Sequence, residues 1–363
     1  MKRTSLYETH KKLGAKLINF HNWEMPVYYT SIKEENLVVR NNVGIFDVSH
    51  MGNIFIKGSE AEKFIDYIIT NSVSDKKENK VVYSPVCNER GFILDDILVY
   101  KFSKEKFLLI VNASNEKKDL NWFIKNSESF DIKIDDVSDK YSLIAVQGPE
   151  SDFTLNKFFN FDVNSMKYYT FCETQFLNYN CIISRTGYTG EKGFEILIEN
   201  KFATFVWEKI LSNATTILPC GLGARDILRI EAGFPLYGQE LTENINPFES
   251  NLARFVRLDK ENFISKKPLE GISNNYRNIR IGFVMKLNKI AREGCEIYTP
   301  DENKKIGWVS SGTFSFYLNS SIGMGFIDKN FVDLKEIKIK INDKFYAANI
   351  QSLPFVKLRV KER

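Results

Sequence analysis

Two adjacent aspartates, Asp95 and Asp96, stand inside Gly91-Phe92-Ile93-Leu94-Asp95-Asp96-Ile97-Leu98-Val99-Tyr100, a run otherwise suited to a protein interior. Its β-branched and aromatic content, bounded by Glu89-Arg90-Gly91 and Ser103-Lys104-Glu105-Lys106, predicts a strand. Alternation puts Asp96 on a face with Leu94, Leu98 and Tyr100, and Asp95 on the other with Ile93, Ile97 and Val99. Both faces are apolar, so at least one carboxylate is expected to be partly desolvated. That costs several kcal/mol unless the group is paired, hydrogen-bonded or protonated. Acid–base or ligand-orienting work is one reason to keep it there. A structural aspartate that accepts backbone N–H bonds at a turn fits these residues equally well. The returning strand Phe107-Leu108-Leu109-Ile110-Val111 ends at Asn112, which comes close to Asp96 across the ladder for a turn of about four residues, with a one-residue slip in register left open.

Two further segments could carry chemistry. Arg185-Thr186-Gly187-Tyr188-Thr189-Gly190-Glu191-Lys192-Gly193-Phe194-Glu195-Ile196 holds three glycines, which let a ligand approach the backbone closely. In the strand that follows, Phe194, Ile196 and Ile198 share one face, and Glu195 lies with Leu197 on the other. Glu195 can therefore point into a cavity and accept two N–H donors from a flat heterocycle; a glycine-rich hairpin with exposed charges is the alternative. In Gly221-Leu222-Gly223-Ala224-Arg225-Asp226-Ile227-Leu228-Arg229, the two arginines stand four apart on one helical face near its N-terminus. They repel unless acidic partners or an anionic ligand group intervene.

The elements that position these residues follow from the hydrophobic pattern. A helix is predicted over 5–19, then an aromatic loop at 20–26 and a strand at 53–57. Ser59 and Glu62 have capping-box spacing before an amphipathic helix over 60–70. A helix is expected over 114–127, strands over 141–147, 172–184 and 193–198, and a helix over 201–213. The Lys- and Asn-rich stretch 259–280 reads as a linker, and 279–360 as short strands forming a small barrel or sandwich. The fold class is α+β.

Bulk properties narrow the function. A length of 363 residues suggests two or three domains, at roughly 150 residues per domain. The net charge of +4 is too weak to point to nucleic acid or membrane as the main partner. Five cysteines without a C-x-x-C pair, and only three histidines, offer no metal-ligand cluster and read as reduced thiols. The N-terminus shows no signal or transit pattern and no run reaches 18 apolar residues, so a cytoplasmic protein is expected.

Taken together the motifs resemble the aminomethyltransferase, or T-protein, family of the glycine cleavage system. The resemblance runs through F-H-N-W-E-M-P at 20–26, G-I-F-D-V-S-H-M-G at 44–52, L-D-D-I-L-V-Y at 94–100 and Q-G-P at 147–149. It continues through S-R-T-G-Y-T-G-E-K-G-F-E at 184–195, G-L-G-A-R-D at 221–226, L-Y-G-Q-E-L at 236–241 and N-P-F-E at 246–249. It implies a three-domain cloverleaf around a central hole that holds tetrahydrofolate. Residues 1–52 with 140–255 would form the first domain, 53–139 the second and 275–363 the third. Asp96 would be the catalytic aspartate, Glu195 would grip the pterin amine and ring N–H groups, and Arg225 would meet the anionic folate tail. Met51, Tyr83, Tyr100, Asn112 and Tyr188 would line the cavity, with no metal.

The reaction so implied moves a methylene from the S-aminomethyl-dihydrolipoyl arm of H protein to tetrahydrofolate. It yields 5,10-methylenetetrahydrofolate, ammonia and dihydrolipoyl H protein. The partners implied are lipoylated H protein and the other glycine cleavage enzymes, with the chain itself a monomer. Two sites depart from the family pattern, Asn22 in place of a glycine and Ser315-Phe316 in place of a serine-proline, and Arg359 is the candidate for the family's chain-end residue reaching the folate tail. The alternative within this fold is a folate-dependent demethylase of a small sulfonium or methylamine. A non-catalytic folate-binding branch carries K-G-C-Y-x-G-Q-E, whereas Gly233–Glu240 here holds no cysteine. Fused flavin-dependent relatives need an additional domain that this length does not accommodate.

Overall fold

In the computed structural model, which describes residues 1–361, the chain folds around three large sheets, beside a two-stranded one formed by Lys16–Phe20 and Trp23–Tyr28. The first has six strands in the spatial order Phe171–Phe176, Tyr179–Ser184, Gly193–Glu199, Tyr141–Gln147, Val43–Asp47 and Ile217–Cys220. Only its last pair is parallel. One face, with Phe194, Ile196 and Ile198, buries Trp207 and Ile210 of the helix Asn200–Leu211. Each such side chain contributes about 1.5–3 kcal/mol on full burial.

The second sheet has five antiparallel strands ordered Lys80–Cys87, Ile93–Lys101, Lys106–Val111, Gly52–Lys57 and Lys133–Asp136. Its outer face, with Ile97, Val99 and Phe107, is covered by Phe64 and Ile65 of the helix Ala61–Ile68 and by Phe123 of the helix Glu116–Lys125. Its inner face packs Tyr100, Leu108 and Ile110 against Leu143 and Leu197 of the six-stranded sheet. The third sheet is a closed barrel of six strands between Asn278 and Gln351. Helices and mostly antiparallel sheets thus combine in an α+β protein with a C-terminal barrel.

Several sequence expectations are corrected. Residues 5–19 do not form one helix: Tyr7–Lys12 is helical and Lys16–Phe20 is a strand. Gly14 takes φ +74°, its N–H reaches the Lys11 carbonyl, and Ala15 reaches back to His10, which closes the helix in a Schellman arrangement. The capping box does not form. Ser59 Oγ donates instead to Asp131, and the Glu62 carboxylate accepts from the buried Lys101 ammonium. The stretch expected as a linker contains the helix Lys266–Ile272, whose Leu269 is buried with Phe263, Cys87 and Ile93. Asn22, in the family's glycine position, sits with His21 in a hairpin turn at φ +66° and +47°, a left-handed geometry that asparagine tolerates.

Candidate functional site

The strand Ile93–Lys101 carries a bulge where Val86 pairs with Asp95 but Cys87 pairs with Ile93. Leu94 is the extra residue, so the alternation resets there. Leu94 joins the outer core with Ile97 and Val99, and not the face of Asp96, Leu98 and Tyr100 as expected; Ile93 moves to a third cluster. The pairing Leu98↔Ile110 through Lys101↔Phe107 runs on to set Asn112 opposite Asp96.

That register builds a small polar network. Asp95 is fully buried and accepts from Asn112 N at 3.1 Å, Asn112 Nδ2 at 2.8 Å and Asn115 Nδ2 at 2.6 Å. Asn112 Nδ2 also donates to Asp96 Oδ1 at 2.9 Å. Asp96 lines a cavity of about 410 Å³, where its carboxyl faces the Tyr83 hydroxyl. Burial first, and then the neighbouring Asp95 charge, push the Asp96 carboxyl up to about 7, with the Tyr83 hydroxyl and then the Asn112 amide pulling the other way. The buried Tyr83 hydroxyl faces Asp96, and burial and the Asp96 charge raise its ionisation.

All three sheets supply walls to this cavity, through Asp96, Glu195 and Arg280 among others. Of the residues singled out from the sequence, Met51, Tyr83, Asp96, Asn112, Tyr188, Glu195 and Arg225 lie on it. Tyr100 does not. Its ring is packed beneath the wall, 5.1 Å from Phe171, because the inner face of its strand is covered by the six-stranded sheet. Its hydroxyl begins a chain instead: to Ser184 Oγ at 3.0 Å, from there to Thr186 Oγ1 at 2.7 Å, and from Thr186 to Glu195 Oε2. Glu195 is 6% exposed. Burial raises its carboxyl above the usual range, while the Thr186 hydroxyl and the charge of Arg225 oppose the rise.

The two arginines of the helix Leu222–Glu231 divide their work. Arg229 is neutralised by Glu240 at 2.8 Å and Asp226 at 2.9 Å. Arg225 has no carboxylate in ion-pair range among the described residues; its guanidinium lies 4.8 Å from the Tyr188 ring centre. Tyr188 in turn stacks on Phe234 and donates to the Pro235 carbonyl. Arg359 is not at the cavity. Its guanidinium is held by Glu191 at 2.8 Å and by the Arg40 carbonyl.

Sequence reasoning missed several wall residues. Arg280 reaches the cavity from the barrel strand Asn278–Met285, 6% exposed, with its Nε unpartnered. An arginine inside Ile279-Arg280-Ile281 was the available signal. Thr186 stood unread within a quoted motif. Tyr169 lines the cavity at φ +59°. His50, buried beside Arg225, has its imidazole pushed down to about 4, by burial first and then by that charge, and is neutral.

A cavity walled by all three large sheets, with a raised carboxyl on one wall and a carboxyl and a guanidinium on others, has the form of a small-molecule site. The comparisons with known proteins agree. Residues 6–260 match the GCVT N-terminal domain, and residues 279–357 match the glycine cleavage T-protein C-terminal barrel domain. The chain is 45% identical over 370 residues to the aminomethyltransferase of Thermosipho melanesiensis, covering 100% of this chain and 99% of that one. It is 43% identical over 371 residues to that of Thermoanaerobacter pseudethanolicus, with 100% and 99% covered. The crystal structure of glycine cleavage system aminomethyltransferase T from Bartonella henselae superposes with a TM-score of 0.93 at 31% identity, covering 99% of each chain. The chain belongs to the glycine cleavage T-protein family, and its activity is that of an aminomethyltransferase. The relatives give the demethylase alternative no support. Among the described residues no helix is long and apolar enough to cross a membrane.

Proposed function

We propose that this cavity takes tetrahydrofolate as co-substrate and receives the aminomethyl-loaded lipoyl arm of H protein. The observation that carries the reading is Asp96: a half-buried carboxyl whose Oδ1 is fixed by Asn112 and which is presented on the cavity wall beside Tyr83. As ammonia leaves, positive charge develops on the transferred carbon. An ionised carboxylate in a partly desolvated wall stabilises that charge more strongly than one in water. Binding both reactants in one cavity supplies the orientation.

Glu195 and Arg225 act as a pair in this reading. Glu195, oriented by Thr186, accepts N–H groups of the pterin, and Arg225 offers a free cation to a carbonyl or carboxylate oxygen of folate. Arg254 and Arg280, also on the wall, are the further cations available to the anionic tail. Tyr83, Tyr188 and Met51 give the rings their apolar contacts.

Titration of tetrahydrofolate into the purified chain, followed calorimetrically, tests the assignment with Glu195→Gln and Arg225→Met beside the parent. Saturable binding that weakens at least about tenfold in each variant is expected, equivalent to about 1.4 kcal/mol. Unchanged affinity in both would remove folate from this cavity.

A further inference from the structure

Behind Asp96 lies a carboxyl that the reaction does not touch. Asp119, on the helix Glu116–Lys125, is 1% exposed, and neither of its oxygens receives a hydrogen bond from any donor among the described residues. The charged groups that bear on it are Asp95 and Asp96 of the neighbouring strand and Lys118 of its own helix. The Lys118 ammonium is committed to the Leu94 carbonyl at 2.7 Å, the Tyr237 hydroxyl at 2.6 Å and Glu243 at 3.3 Å. An ionised Asp119 would be an uncompensated buried charge next to a second anion, at a cost of several kcal/mol. A protonated Asp119 has an O–H to give. Asp95 can receive it, since a carboxylate has about four acceptor positions and N–H groups of Asn112 and Asn115 take only three.

We propose that Asp119 is a positioning residue: a neutral carboxylic acid that donates a hydrogen bond to Asp95 and thereby holds Asn112 with its amide N–H groups toward Asp95 and Asp96. Burial and the Asp95 charge hold the Asp119 carboxyl well above the usual carboxylate range, in keeping with this state. The consequence runs through Asn112. Without the fourth donor, Asp95 gains protons more readily, and a protonated Asp95 needs an acceptor. The Asn112 amide then turns its oxygen inward, and Asp96 loses the N–H that orients it. The inference rests on the reading of Asp96 as the working carboxylate.

The test compares Asp119→Asn, neutral with a donor retained, and Asp119→Leu, neutral without one. Turnover of the full chain with aminomethyl-loaded H protein is followed against pH, and the aspartate side-chain carboxyls are followed by carbon-13 NMR. Three results are expected. The parent shows one protonated aspartate signal at about pH 9, about two units above the Asp96 titration, that disappears in Asp119→Asn. The acid limb of kcat stays in place in Asp119→Asn. Asp119→Leu loses about tenfold or more in kcat, the effect of about 1.4 kcal/mol, and Asp119→Asn recovers most of that loss. A shift of the acid limb to lower pH in Asp119→Asn would mean that a negative charge had been removed, and would overturn the proposal. Equal kcat in the two variants would overturn it as well. Should Asp119→Leu not fold, the Asp119→Asn limb and the NMR signal decide. Failure of the Asp96 reading is separable: Asp96→Asn would then turn over normally, while the NMR signal still reports the state of Asp119.

Discussion

Replacing Asp96 by asparagine is predicted to make the protein more stable while it removes turnover. In the folded chain the carboxyl rises from its ordinary 3.8 to about 7, so the folded state binds this proton more tightly than the unfolded state. Stability therefore falls as pH rises between those values, and above about 7 the full cost of holding the charge is present. About three pH units at 1.36 kcal/mol each set a limit of about 4 kcal/mol. Asp96 is only half-buried on the cavity wall, and water there screens the effect to about 1–2 kcal/mol. Asparagine can turn its own oxygen to Asn112 Nδ2 and keep the 2.9 Å contact without the charge. The assay is thermal unfolding of both proteins across pH 5 to 8, alongside H-protein-dependent turnover. The variant should melt higher at pH 8, and the gap should narrow toward pH 5. Turnover should drop at least about a hundredfold throughout. A variant that melts lower at pH 8, or a gap that ignores pH, would refute the raised carboxyl.

Four other outcomes are expected. Arg225→Met should weaken folate binding and leave the melting temperature nearly unchanged, since it breaks no ion pair; Arg229→Met leaves the buried Glu240 unpaired and should cost about 3–5 kcal/mol in chemical denaturation. Tyr100→Phe removes the first donor of the chain that ends on Glu195, so folate affinity should fall a few-fold, consistent with a net hydrogen bond of about 0.5–1.5 kcal/mol, with kcat held. A methyl on Gly187 would come within 2.0 Å of Gln147 Oε1. That side chain is fixed by Thr186 and Thr189, so Gly187→Ala should destabilise by about 1–3 kcal/mol, read by urea unfolding.

Much of the site was legible wherever local rules decide geometry. Alternation along Gly193–Glu199 was enough to separate Glu195 from the core residues beside it, and the turn brought Asn112 near Asp96 to within one residue, the final register coming only with the pairing Lys101↔Phe107. The bulge at Leu94 was not legible, because an inserted leucine in an apolar run looks like any other. Tyr100 was misplaced for a related reason: its face was right, but the depth to which a second sheet covers that face depends on residues 40 to 100 positions away. Arg280 and Arg359 show the same limit from the chain's far end. One turns into the cavity and the other is captured by Glu191, and no pattern near either residue distinguishes them. The lost capping box is a case of tertiary partners outcompeting a local motif, since Asp131 and Lys101 claim its two side chains.

The central claim is transfer of an aminomethyl carbon to folate at this cavity, and one measurement addresses it most directly. Purified chain, tetrahydrofolate and aminomethyl-loaded H protein would be mixed, with 5,10-methylenetetrahydrofolate and ammonia quantified in the same reaction. Equimolar production of both, dependent on the chain and lost in Asp96→Asn, is the predicted result. Ammonia without methylenetetrahydrofolate, or equal rates with Asp96→Asn, would contradict it.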